Sequence, residues 1–360
     1  MTAPGTGKSR LEYLDTAKGF AAASVVLLHL FGTSTLFNTL APWHIWQAMP
    51  IFLMVAGITG VLSCRKCSGI IQNLGRERLL QDLKSYYISL PGKVLPLYMP
   101  YAVVVLLFYM WSREPLGLEL FGNTMIMGYL GPGGYFVPLI VQHLIFFPLV
   151  LALRPRMGSD LKFLGVALVI SALCELPFAF VDLEAGRYIY RIFYFRYLFA
   201  CCLGAVLADG NPFQPKTFRL LVGMSVVYMA MVALFSSPGA TPPSYWNLSF
   251  IRADDWYFQH YPAYFYTAFL VFTVFRDNEH RLPCRESLIK LGKSSYDIFI
   301  FQMAFFITVG LSLKQAFGWT DYPFLMKVLI FFVCLWGGLL LTRAKKWWRD
   351  AKKQAAAAKA

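Results

Sequence analysis

Three ionisable residues near the amino end are spaced in a way that suits chemistry: Asp15, Lys18 and His29. His29 sits in an otherwise apolar run, eleven residues after Lys18. At helical rise that is about 16 Å, and eleven residues is close to three turns, so both fall on nearly one face. Asp15 precedes Lys18 by three positions and can pair with it across one turn. An imidazole at mid-membrane depth, aligned with a cation at the inner edge, suits a base facing a tunnel that admits an anionic cytoplasmic ligand. The plainer reading is a histidine satisfied by a neighbouring helix.

A second group of polar residues falls toward the opposite side. Glu175, Arg191 and Arg196 could form an outward pocket, or a structural Glu–Arg pair beside a snorkelling arginine. Gln142 and His143 follow the turn Gly131-Pro132-Gly133-Gly134-Tyr135. No Lys-Ser/Thr follows that turn, so it is not a nucleotide loop; it suits non-helical backbone lining a cavity. Ser295, Tyr296, Asp297 and Gln302 mark the start of a late apolar run, and Lys327 reads as a snorkelling cation. HExxH, a Cys/His metal cluster, a carboxylate array and GxSxG are all missing, so no metal is expected and no hydrolase elbow is available.

The elements that would carry these residues follow from composition. Of 360 residues, 58% are apolar and 14% charged, with mean hydropathy +0.53. Such a chain cannot cover a soluble surface, and its long continuous apolar runs do not fit an outer-membrane barrel. The pattern predicts an all-α polytopic membrane protein with about ten spans: Phe20–Leu40, Trp46–Ser63, Val94–Trp111, Tyr135–Leu153, Phe163–Val181, Ile192–Ala208, Leu220–Phe235, Pro262–Phe275, Tyr296–Leu313 and Tyr322–Thr342. With the amino end in the cytoplasm, the inner segments hold 26 Lys and Arg and the outer loops five. That bias favours ten helices with both ends cytoplasmic, and it explains the net charge of +14 without nucleic acid.

The chain divides into a cytoplasmic segment 1–19, a membrane domain 20–342 and a basic tail 343–360. The loop Cys64–Lys93 mixes cations with apolar residues and suits amphipathic helices on the inner face. The outer loop Ser236–Tyr261 is rich in Pro, Ser, Trp and Tyr, and would cover a sugar-like ligand or anchor at the lipid interface. No cleavable signal peptide is expected before the first span. The seven cysteines include Cys64-Arg65-Lys66-Cys67, which reads as a reduced pair without a role.

The stretch from Arg10 through Leu14-Asp15 and Lys18 to His29 resembles the first helix of the integral-membrane acyltransferase-three family, whose hallmark is Arg or Lys, ten residues, then His. Met49–Gly57 looks like the family's second helix, with Ala56 in place of its Ser. Gly292–Gln302 looks like its penultimate helix; many members have His where this chain has Gln302, so no catalytic role is carried over there. Gly131–Pro148 and Tyr190–Tyr197 are similar to the branch that contains sugar O-acetylases. The resemblance implies a ten-helix core that takes an acyl group, usually acetyl, from cytoplasmic acyl-CoA to a hydroxyl of an extracytoplasmic or lipid-linked glycan.

In that chemistry His29 is the general base, with Asp15 orienting Lys18, and an acyl-histidine intermediate stands beside direct transfer as the alternative. Lys18, Arg76, Arg78, Ser295 and Tyr296 would hold the acyl-CoA. Tyr135, Gln142, Glu175, Arg191 and Arg196 would bind the acceptor. The donor is a substrate, and no tightly bound cofactor is expected. The expected setting is a bacterial inner membrane, with an exopolysaccharide or its repeat unit as acceptor. The other readings are a glycan or small-anion transporter using His29 and Glu175 as a proton relay, or a non-catalytic partner of a polysaccharide synthase.

Overall fold

The structure is a computed structural model; it describes residues 9–32, 35–36, 39–65, 67–112, 117–180, 186–236 and 261–357. Lys66 and all but the two ends of the outer loop Ser236–Tyr261 lie outside the described residues. Apolar backbone in lipid must satisfy its own N–H and C=O groups, and the described residues do so entirely as helices and turns, with no strand among them.

Besides a single helical turn at Ser68–Ile71, the helices are α1 (Ser9–Leu30), α2 (Ala48–Cys64), α3 (Arg76–Ser112), α4 (Leu118–Met127), α5 (Phe136–Leu153), α6 (Asp160–Phe180), α7 (Gly186–Ile192), α8 (Leu198–Asp209) and α9 (Pro215–Ser236). They continue with α10 (264–277), α11 (Arg285–Lys293), α12 (Ser295–Phe317) and α13 (Phe324–Ala357). Among the described residues, five helical segments are long and apolar enough to cross a membrane: Ala41–Cys64, Arg76–Ser112, Phe136–Arg156, Ser295–Phe317 and Phe324–Ala357. Helices α1, α6, α8, α9 and α10 stand at the other five predicted positions. Of these α8 has 12 residues, a reach of about 18 Å, well short of a hydrocarbon core of about 30 Å.

Three boundaries differ from the sequence reading, each for a packing reason. The first helix runs from Ser9 to Leu30 rather than Phe20–Leu40, so Asp15 and Lys18 are helix-interior residues. Its early turns are held by α11. A β-carbon on Gly19 would fall 1.9 Å from the Leu288 carbonyl oxygen, and one on Gly292 1.7 Å from that of Asp15. Around this close approach Arg285 bonds Glu12 at 2.6 Å and Glu279 at 2.9 Å, and the Thr16 hydroxyl donates to Glu279 at 3.3 Å.

The inner loop is also shorter than expected. Residues 76–93 form no separate surface helix; they are the first half of α3, which continues unbroken through Pro91, Pro96 and Pro100. Tyr86 and Tyr87 pin this half to α5 by donating to the Leu144 and Ile145 carbonyls at 3.0 and 2.8 Å. The last span likewise runs on into the basic tail as one helix. There Thr342 and Lys345 donate to Asp297 at the start of α12.

The core lies where α2 crosses α8. Ile51, Leu53, Met54, Cys201, Cys202 and Leu203 are fully buried. Gly57 faces the Cys201 carbonyl and Gly204 the Met54 carbonyl, with no room for a β-carbon at either. Small residues permit such backbone contact in a setting where apolar burial alone does not drive helices together. Lys327, near the start of α13, is buried and pairs with Asp321 at 2.5 Å rather than snorkelling free.

Candidate active site

A cavity of about 480 Å³ opens between α1, α2, α3, α5, α12 and the glycine-rich turn before α5. Helix α1 presents Lys18 and His29 to this one space, as their spacing on a common face requires. Lys18 pairs with Asp15 at 2.6 Å, the contact expected across one turn. Ser295, Tyr296 and Tyr135 also border the cavity. The Tyr296 hydroxyl donates to the Leu97 carbonyl on the proline-interrupted stretch of α3, which fixes its ring at the wall.

His29 makes no hydrogen bond to another residue among those described; its ring packs edge-on against Phe306, centroids 6.2 Å apart. Phe306 opens a π-helical turn, Phe306–Gly310, within α12. Such local widening of a helix re-aims its side chains. A second neighbour is Gly133, which has φ +84°, a left-handed conformation that favours glycine. A β-carbon there would lie 2.9 Å from the Phe299 ring and 3.8 Å from His29 Nε2. The turn therefore brings bare backbone up to the imidazole, and Gly133 keeps the space open.

Further polar residues border the cavity, among them Tyr86, Lys93, His143 and Gln302, with the hydroxyl residues Thr59 and Ser63. Lys93 Nζ lies 3.6 Å from the centroid of the Tyr86 ring, a cation–π contact. In the sequence Lys93 was one of many inner-loop cations; its placement follows from α3 being continuous. His143 is buried, stacked on Phe147 with centroids 4.5 Å apart, and its Nδ1 is 3.3 Å from the Tyr194 hydroxyl. It carries the same signal as His29, an imidazole in an apolar span.

The remaining candidates lie elsewhere. Arg76 and Arg78 are exposed and do not border the cavity; Arg78 instead meets Asp82 at 3.6 Å and Gln81 at 3.2 Å. Gln142 faces away from the cavity. Its Nε2 donates to the Ile192 carbonyl at 2.8 Å, and its Oε1 accepts from the Tyr194 N–H at 3.2 Å. Arg196 is buried over the Tyr190 and Tyr197 rings at 3.5 and 4.6 Å, and donates to the Tyr197 hydroxyl at 2.7 Å. That hydroxyl donates to the Arg191 carbonyl at 3.1 Å. These groups hold the 190–197 segment together. Glu175 lies in α6, its side chain outside the described ones. No group of three or more His, Cys, Asp or Glu among the described residues could hold a metal ion.

The arrangement offers a cation–carboxylate pair, a second cation and two imidazoles, His29 and His143, along one largely apolar space within a bundle of membrane-type helices. A family described as an acyltransferase domain matches residues 11–343, a range that contains every residue bordering the cavity. No curated protein and no solved structure shows significant similarity to the chain. On the strength of that nearly full-length match, the chain belongs to the acyltransferase-three family.

Proposed function

We propose that this protein is a multi-pass membrane O-acyltransferase that moves an acyl group, acetyl in the simplest case, from cytoplasmic acyl-CoA to a hydroxyl of an extracytoplasmic or lipid-linked glycan. The observation that carries this reading is that Lys18 and His29 border one cavity, with the cation and the imidazole about 16 Å apart along a single helix. A thioester with a long, mostly uncharged arm and a phosphate-bearing end has the same layout.

In this reading ten spans make up the membrane domain, and both chain ends face the cytoplasm of a bacterial cell with the protein in its inner membrane. Lys18, oriented by Asp15, and Lys93 meet the charged part of the donor through charge-assisted hydrogen bonds. Ser295 and Tyr296 line its entry, and the exposed Arg76 and Arg78 are left for the nucleotide end outside the cavity. His29 takes the proton of the acceptor hydroxyl as that oxygen attacks the acyl carbonyl. The acceptor enters past Tyr135 at the glycine-rich turn. Glu175 and Arg191 belong to that acceptor face, which Gln142 and Arg196 shape by holding segment 190–197. The sugar-acetylase branch, and an exopolysaccharide acceptor with it, is favoured by the stretches Gly131–Pro148 and Tyr190–Tyr197.

The test is purified protein in nanodiscs with isotope-labelled acetyl-CoA and a total surface-glycan extract. Label should move to glycan, and His29→Ala should lower the rate by about 10²–10⁴-fold, the usual worth of a general base. Glycan movement without CoA release would overturn the reading.

A further inference from the structure

Three buried or half-buried glutamines lie among the described helices and turns, and two are fully bonded. Gln47 Nε2 donates to the Pro42 carbonyl at 2.9 Å, and its Oε1 accepts from Thr267 at 2.7 Å. Gln142 has both amide ends on backbone, as described above. Gln302 differs. It is 1% exposed, its Oε1 is enclosed without a partner, and neither end of its amide bonds another described residue. Buried amides are normally paired, because the hydrogen bonds given up to water must be replaced. A well-packed core position left in this state points to a ligand.

The location says which part of a ligand. Gln302 borders the same cavity as His29, from the facing helix α12. Phe299, one turn earlier, packs against Gly133, the residue whose backbone approaches His29 Nε2. Phe299 also meets Phe136, ring centroids 5.5 Å apart, so the walls here are apolar. An N–H held in such surroundings stabilises a developing negative charge far better than one in water.

We propose that Gln302 is a catalytic residue: its side-chain N–H, the end of the amide that is not enclosed, donates to the acyl carbonyl oxygen and stabilises that oxygen as it becomes negative. The inference rests on the acyl-CoA reading above. The acceptor O–H gives its proton to His29, and a bond forms between the acceptor oxygen and the acyl carbon. The carbonyl π electrons move onto oxygen, where the Gln302 N–H meets them. Collapse restores the carbonyl, breaks the C–S bond, and the CoA sulfur leaves with the proton returned from His29.

The experiment compares wild type, Gln302→Met, Gln302→Glu and His29→Ala, by acyl transfer from labelled acetyl-CoA and by thermal unfolding in nanodiscs. Met matches the side chain in size and removes the unpaired amide, so the variant should unfold at or above the wild-type Tm. Its kcat should nevertheless fall by about 10²–10³-fold, with KM for acetyl-CoA little changed. Glu keeps the shape but replaces the donor by an acceptor, and should lose at least as much. Unchanged kcat in the Met variant, or a rise in KM alone, would overturn the role. A lowered Tm in the Met variant would show that the amide has a structural partner, and would overturn it as well. If wild type transfers acyl groups and His29→Ala does not, these outcomes bear on Gln302 alone; if wild type transfers nothing, the acyl-CoA reading fails and takes this one with it.

Discussion

Lys18 and Asp15 form an ion pair at 2.6 Å on the face of α1 that borders the cavity, and α11 leaves no space behind Asp15 because Gly292 packs on its backbone. Asp15 is thereby a fixed anchor for a flexible ammonium. Part-exposed pairs of this kind contribute at most about 1 kcal/mol, so Asp15→Asn should raise the KM for acyl-CoA by about two- to fivefold and leave kcat nearly unchanged. Steady-state kinetics with varied donor would show this; a loss confined to kcat would place Asp15 in the chemical step instead.

Lys93 and the arginines at the start of α3 should separate by salt. Lys93 borders the cavity beside Tyr86, whereas Arg76 and Arg78 are exposed. A hydrogen bond between charged groups is worth about 1.5–3 kcal/mol, so Lys93→Ala should raise the donor KM by about tenfold or more, at low and high salt alike. Arg76→Ala should have a smaller effect that disappears near 1 M salt, where screening acts within about 3 Å. Equal salt sensitivity in the two variants would argue against an enclosed cation.

Gln142→Ala tests whether this residue binds acceptor or braces the fold. The change strands the Ile192 carbonyl and the Tyr194 N–H, both bonded by Gln142 in the structure. The expected result is a loss of about 1–3 kcal/mol in stability, read as a lower Tm, with acceptor KM unchanged in the protein that remains folded. A raised acceptor KM at normal Tm would restore the binding role.

Gly133→Ala should cost both stability and activity. Its φ of +84° strains any β-carbon, and that carbon would meet Phe299 at 2.9 Å. Backbone strain of this type costs of order 1–3 kcal/mol. The turn must shift, and His29 lies beside it. A variant with normal Tm and normal kcat would show that the turn can move away freely.

Much of this was legible in the sequence, for definite reasons. The Lys18–His29 alignment needed only the helical period and the cost of polar groups in lipid. The Asp15–Lys18 contact needed only the three-residue spacing. What stayed hidden depended on tertiary partners. The early start of α1 is set by Gly19 and Gly292 meeting α11, residues far apart in the chain. The continuity of α3 is fixed by Tyr86 and Tyr87 on α5, and three prolines argue against it locally. Gln142 and Arg196 look alike as polar residues at depth, and only their bonds to the 190–197 segment show where they are used.

The unbroken course of α1 also has a metrical consequence. Because no loop separates Lys18 from His29, their distance is not adjustable; the helix acts as a ruler of eleven residues, about 16 Å long. A molecule touching both marks is chosen by its length as well as its charge. Inserting a single residue between them would add only about 1.5 Å, yet swing the imidazole by about 100° and put the two marks on different faces.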